Sequence, residues 1–155
     1  MAINTKAYIE KYLKIRDKKA KIIPLKLNKP QMKLYDAIRR QAQEGKPQRA
    51  VVLKARQMGF STVTEAIIFK GTATKKNVSA GIVAHKEDAT TNLFRMSKRY
   101  HKYLPDPIKP TIKASNAKEL LFDDLQSSIK CMTAGGDGIG RSDTYQKLHV
   151  SEYAF

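Results

Sequence analysis

Read for hydrophobic and polar positions, the chain breaks into short apolar stripes separated by lysine-rich connections. Residues 1–29 make a basic leader, set apart from residues 30–155. In it Tyr8, Ile9, Tyr12 and Leu13 share one helical stripe among Lys11, Lys14, Lys18 and Lys19, which predicts a helix and then an extended linker closed by Pro24. After Pro30-Gln31, the residues Leu34, Tyr35, Ile38 and Ala42 recur at helical spacing until Gly45-Lys46-Pro47 stops them. Arg49–Lys54 reads as a short buried strand, Ala50-Val51-Val52-Leu53, and a second helix begins near Ser61 with Val63, Ala66 and Ile67 on one side.

Val78–Ala84 is the next apolar strand. A helix through Ala89, Leu93, Met96, Tyr100 and Tyr103 follows it and runs to Pro105. Residues 105–118 are a Pro- and Lys-rich connection. Leu120–Phe122 and Ser128–Met132 are two short strands joined by Asp123-Asp124-Leu125-Gln126. A loop with Gly135, Gly136, Gly138 and Gly140 leads to a last strand, Lys147–Ser151, that runs into Glu152. This order predicts an α/β fold with a mostly parallel sheet. Such sheets take ligands at the carboxyl ends of their strands.

Composition changes the picture through charge. The 155 residues carry 30 Lys and Arg against 14 Asp and Glu, a formal +16, and this excess points to an anionic partner, with nucleic acid ahead of a membrane surface. Apolar residues make up 41%, enough for a packed core. Cys131 stands alone, so no internal disulfide can form, and its apolar setting suits a small buried residue. The longest apolar runs, Ala50–Leu53 and Ala66–Phe69, fall far short of the ~20 residues that cross a bilayer. A cytoplasmic protein with no membrane partner is expected.

The chemistry concentrates in Lys54-Ala55-Arg56-Gln57-Met58-Gly59-Phe60-Ser61-Thr62. Against the phosphate-loop pattern, Gly59 and Ser61 match the second glycine and the hydroxyl, while Lys54 stands for the first glycine and Phe60 for the usual lysine. The setting between a strand and a helix suits a phosphate, because helix N-terminal N–H groups are unpaired and partly positive. Gly59 would let the backbone approach, Ser61 would offer a hydroxyl to Mg²⁺, and Lys54 and Arg56 would supply cations from the other end of the loop. The plain alternative is an ordinary strand-to-helix turn.

The second half of such a site is Leu148-His149-Val150-Ser151-Glu152, an apolar strand ending in polar groups. Glu152 is the candidate base and Ser151 a weak metal ligand; a surface glutamate at a strand end is the alternative. Arg141 follows the glycine-rich loop and is either an arginine that neutralises charge on a transferred phosphoryl group or a solvated loop residue.

Together these residues resemble the large-terminase ATPase family of tailed phages, from about Ile22 to Phe155. The resemblance rests on Leu27-Asn28-Lys29-Pro30-Gln31, the Lys54–Thr62 loop, Gly138–Thr144 and His149-Val150-Ser151-Glu152-Tyr153-Ala154-Phe155. It implies a P-loop NTPase sheet with flanking helices, and ATP and Mg²⁺ as ligands. It implies Gln31 as a reader of adenine, Lys54 as the loop cation, Arg56 near the γ-phosphate and Arg141 serving a neighbouring subunit. Double-stranded DNA, a small terminase subunit, a portal protein and a homo-oligomer are the implied partners, in a bacterial host cytoplasm. Two departures stand out. Ser151 takes the place of the metal-binding aspartate, which implies weak Mg²⁺ affinity. The chain stops just after Glu152, where the family continues with the strand that lies beside the phosphate-loop strand and with a nuclease domain. An incomplete sheet, and weak or no ATPase activity of the chain alone, are therefore expected.

Other readings stay open. A helicase-like ATPase would share the loop and the acidic strand. A non-enzymatic basic module would bind nucleic acid and ignore ATP. Glu87, Asp88, Asp123 and Asp124 are a remote two-metal nuclease reading, against solvated turn residues. His85, His101 and His149 show no metal-ligand spacing. Lys75, Lys76, Lys98, Arg99 and Lys102 are either a DNA path or solvated faces.

Overall fold

The computed structural model describes residues 4–53, 55, 57–135 and 144–152. The leader's stripe forms α1 (Thr5–Tyr12), whose N-cap Asn4 accepts from the Ala7 N–H at 3.1 Å. Beyond it, where an extended linker is expected, the chain folds into an antiparallel hairpin, β1 (Lys14–Arg16) and β2 (Ile22–Pro24). The hairpin turn is held by Asp17, whose Oδ1 accepts from the N–H groups of Lys19 and Lys21. Tyr8, Ile9, Leu13 and Leu25 are buried in the same core as the residues that follow.

The second stripe forms α2 (Lys29–Gln43), opened by a capping box: the Gln31 N–H donates to Asn28 Oδ1, and the Asn28 N–H donates to Gln31 Oε1, both at 2.9 Å. Next come α3 (Phe60–Ala73), β3 (Ser79–Ala84) and α4 (Glu87–Lys102). A short 3₁₀ turn, Asp106–Ile108, leads into β4 (Ile112–Ser115), β5 (Glu119–Phe122), β6 (Ser127–Thr133) and β7 (Lys147–Ser151). Of these strands, β4 is the one lost in what reads as a lysine-rich connection.

The molecule is a mixed α/β protein with a five-stranded sheet in the order β4-β5-β6-β3-β7. β3 pairs in parallel with β6 and with β7, while β5 pairs antiparallel with both β4 and β6. The sheet is thus mixed rather than mostly parallel. The antiparallel half follows from the tight turn Asp123–Gln126, because a few residues can join only antiparallel neighbours.

The expected strand at residues 49–53 does not form. Val51 and Leu53 are fully exposed, and β7 is an edge strand of the sheet. An apolar run becomes a strand only when a neighbouring ladder takes its N–H and C=O groups, and among the described residues no strand lies beside it.

The core packs α3 against α1, α2, α4 and against β3, β6 and β7. Phe69 of α3 meets Tyr100 of α4 at 5.6 Å and Phe122 of β5 at 6.3 Å between ring centroids. All three rings are buried, each contributing about 1.5–3 kcal/mol of hydrophobic stabilisation. Among the described residues no helix is long and apolar enough to cross a membrane.

Candidate nucleotide site

The direction of α3 organises the site. Glu65, early in α3, contacts His149 of β7 at 2.5 Å. Gly71, later in α3, lies under the side chain of Lys147, the first residue of β7. As α3 advances from 65 to 71, its β7 partner retreats from 149 to 147, so the helix runs antiparallel to the strand. Going back from Glu65 to Phe60 covers roughly 7.5 Å of helix, and going on from His149 to Glu152 covers about 10 Å of strand in the same direction. The N-terminus of α3 and the Ser151-Glu152 end of β7 are therefore at the same end of the sheet, the end where parallel strands finish.

Strand alternation adds the facing. His149 and Lys147 point to α3, so Ser151, two residues on, belongs to that face. Leu148 and Val150 point the other way and are exposed, with Leu148 beside Gly81. Glu152 is exposed and has a φ of 58°, a left-handed conformation that bends the chain as the strand ends.

The loop that opens α3 is shaped by two left-handed residues, Gln57 (φ 61°) and Gly59 (φ 75°). At Gly59 the conformation favours glycine, and a Cβ there would sit 2.5 Å from Gln31 Nε2. The reason for the crowding is a clamp: Gln31 Nε2 donates to the Gly59 carbonyl at 2.8 Å, and Asn28 Nδ2 donates to the Met58 carbonyl at 3.5 Å. Gln31 is buried and its amide is engaged at both ends, to Asn28 and to Gly59. Those bonds use one of the two amide N–H groups and one of the two carbonyl lone pairs.

The N-cap of α3 is Gly59, without a side-chain cap, so the first N–H groups of the helix stay available to an anion. Ser61 and Thr62 are half-buried in this first turn, and the Ser61 hydroxyl has no hydrogen-bond partner among the described residues. The Thr62 carbonyl accepts from the Tyr100 hydroxyl at 3.1 Å, which ties the turn to α4. Ala55 and Gln57 are exposed, and Met58 and Phe60 are half-buried. Lys54, Arg56 and Arg141, the three expected cations, lie outside the described residues, as do Gly136, Gly138 and Gly140.

Mg²⁺ is a hard cation that keeps several waters and takes one or two protein oxygens beside substrate phosphates. Ser61 and Ser151 offer hydroxyls that fit that modest share. Among the described residues no three His, Cys, Asp or Glu side chains come together as a metal cluster. Glu87 and Asp88 sit in the first turn of α4, and Asp123 and Asp124 in the β5–β6 turn, where Asp124 Oδ1 accepts from the Thr111 N–H.

Sequence reasoning missed Glu65. It is fully buried, with Oε1 on His149 Nδ1 and Oε2 accepting from Ser97 Oγ at 3.4 Å. Burial raises its carboxyl above the usual range, and the His149 contact pulls it partly back. The available signal was its place as the only acid in Phe60–Ala73, flanked by Val63, Ala66 and Ile67. His101 is likewise buried, stacked on Phe122, with Nε2 donating to the Pro110 carbonyl at 2.8 Å. No protein-family model matches the chain.

Proposed function

We propose that this chain is the nucleotide-binding part of an ATP-driven DNA-packaging motor of the large-terminase type, built on a P-loop NTPase-like sheet. The single observation that carries the reading is the antiparallel run of α3 along β7. It brings the Gly59–Thr62 turn and Ser151-Glu152 to one end of the sheet. The order of motifs in the sequence supports the same reading.

In this proposal the open N–H groups at the start of α3 receive the phosphates, and Gly59 lets the backbone come close. Lys54 and Arg56 supply positive charge from the near side of the loop. Ser61 would hold a nucleotide-borne Mg²⁺ directly and Ser151 through water, and the ion would supply neutralisation of phosphate charge. Glu152 orients and deprotonates the attacking water, and Arg141 reaches a neighbouring site in a homo-oligomer. Gln31 holds the loop in place and is the adenine reader implied by the resemblance. Double-stranded DNA is the substrate that such a motor moves, with the small terminase subunit and portal as assembly partners.

Calorimetry with Mg-ATP tests the proposal. The protein should bind nucleotide, and Lys54→Ala should weaken binding at least tenfold while keeping the wild-type melting transition. Folded protein that shows no heat of binding at millimolar Mg-ATP removes the motor reading.

A further inference from the structure

The end of the sheet opposite the candidate nucleotide site has its own construction. β6, β3 and β7 all begin there. The Lys147 side chain leaves the start of β7 and crosses α3 at Gly71. A Cβ at Gly71 would collide with Lys147 Cε and would lie 2.9 Å from its Nζ. Glycine inside a helix is unfavourable relative to alanine, and here the space it leaves is filled by a lysine stem. Lys70 is the neighbouring residue on α3. Lys75 follows the end of that helix, and its carbonyl accepts from Ser127 Oγ at 2.7 Å, which anchors it at the start of β6. Among the described residues none of the three lysines forms an ion pair.

We infer that Lys70, Lys75 and Lys147 form a phosphate-backbone site for nucleic acid, at the opposite end of α3 from the Gly59–Thr62 turn. Ammonium groups gathered at this end of α3 with no ion-pair partner among the described residues repel one another, and an anion relieves that repulsion. Burial depresses the Lys147 ammonium, and the charges of Lys75 and then Lys70 depress it further; Lys70 is lowered by burial and then by Lys75. A polyanion suits the site better than a single small ion because the whole chain is strongly basic, at +16. The inference deepens the proposed DNA-handling role by naming a contact surface, yet it does not depend on nucleotide binding.

The test is anisotropy of a short labelled DNA duplex across a salt series, without nucleotide. Lys70→Gln, Lys75→Gln and Lys147→Gln together should weaken binding at least tenfold and lower the slope of log affinity against log salt by about 2–3. A matched triple, Lys18→Gln, Lys19→Gln and Lys21→Gln, removes the same charge from the β1–β2 turn and should cost far less. Gly71→Ala keeps the net charge and favours the helix, but its methyl displaces Lys147; it should weaken DNA binding severalfold and lower the slope by about 1. Equal losses from the two triples, or a Gly71→Ala protein that binds like wild type, would overturn the site. So would a first triple that leaves DNA binding intact while abolishing attachment to phosphatidylserine vesicles, which would make the surface a membrane contact. Loss of Mg-ATP binding in the calorimetry would leave this result untouched, so the two readings can fail separately.

Discussion

Glu65 Oε1 and His149 Nδ1 meet at 2.5 Å between the helix that opens at the candidate phosphate turn and the strand that runs into Glu152. The pair joins the two halves of the proposed site through the core, with Glu65 fully buried. Removing one partner leaves the other polar and buried, so His149→Ala should destabilise the protein by about 3 kcal/mol. Replacing both by leucine should recover most of that loss, because two apolar groups need no partner. Urea unfolding of the single and double variants measures this directly.

The same carboxyl sets a pH dependence. Its folded value is raised, chiefly by burial, so the native state favours the protonated form. That contribution to stability is complete below the ordinary carboxylate range and is lost as pH rises through the folded value. His101 has the opposite sign. Burial lowers its folded value, so its contribution is present above the ordinary histidine range and is lost as pH falls. Melting temperatures of Glu65→Gln should therefore be flatter than wild type from about pH 4.3 upward. Those of His101→Gln should be flatter from about pH 6.5 downward.

Gly59→Ala tests the turn itself. The left-handed φ of 75° and the collision with Gln31 Nε2 both oppose a side chain. A cost of about 1–3 kcal/mol is expected. Gln31→Ala removes the clamp on the Gly59 carbonyl and half of the capping box, and should cost about 1–2 kcal/mol. Because both changes act on one contact, the double variant should cost less than the sum, which thermal unfolding would reveal.

Leu53→Ser tests the correction at residues 49–53. A buried strand residue would lose several kcal/mol on this change. Leu53 is fully exposed here, so the change should stay within about 0.5 kcal/mol of wild type.

That segment also shows where sequence reading stops. Lys147–Ser151 and the helix through Leu93 and Tyr100 were legible because their patterns match the period of the element they form. Ala50–Leu53 has an equally apolar pattern, but a strand is a relation between two segments, and the partner is not written in the run itself. The β1–β2 hairpin was hidden for a related reason: Lys14, Arg16, Ile22 and Ile23 are not buried, so no alternation marks them. At the candidate site, Gly59, Ser61 and Glu152 could be nominated from residue type, whereas their common end of the sheet depends on the direction of α3. Glu65 went unseen because a glutamate in a helix resembles a surface residue until its partner, 84 positions away, is placed beside it.

In the proposed function the turn opening α3 holds a triphosphate facing the end of β7. Backbone amide NMR during titration with Mg-ATP tests it most directly. The Gly59, Phe60 and Ser61 amides, together with those of Ser151 and Glu152, should shift most, while Gly71 and Lys147 stay near their starting positions. Shifts centred on Gly71 and Lys147, or no shifts in the folded protein, would contradict it.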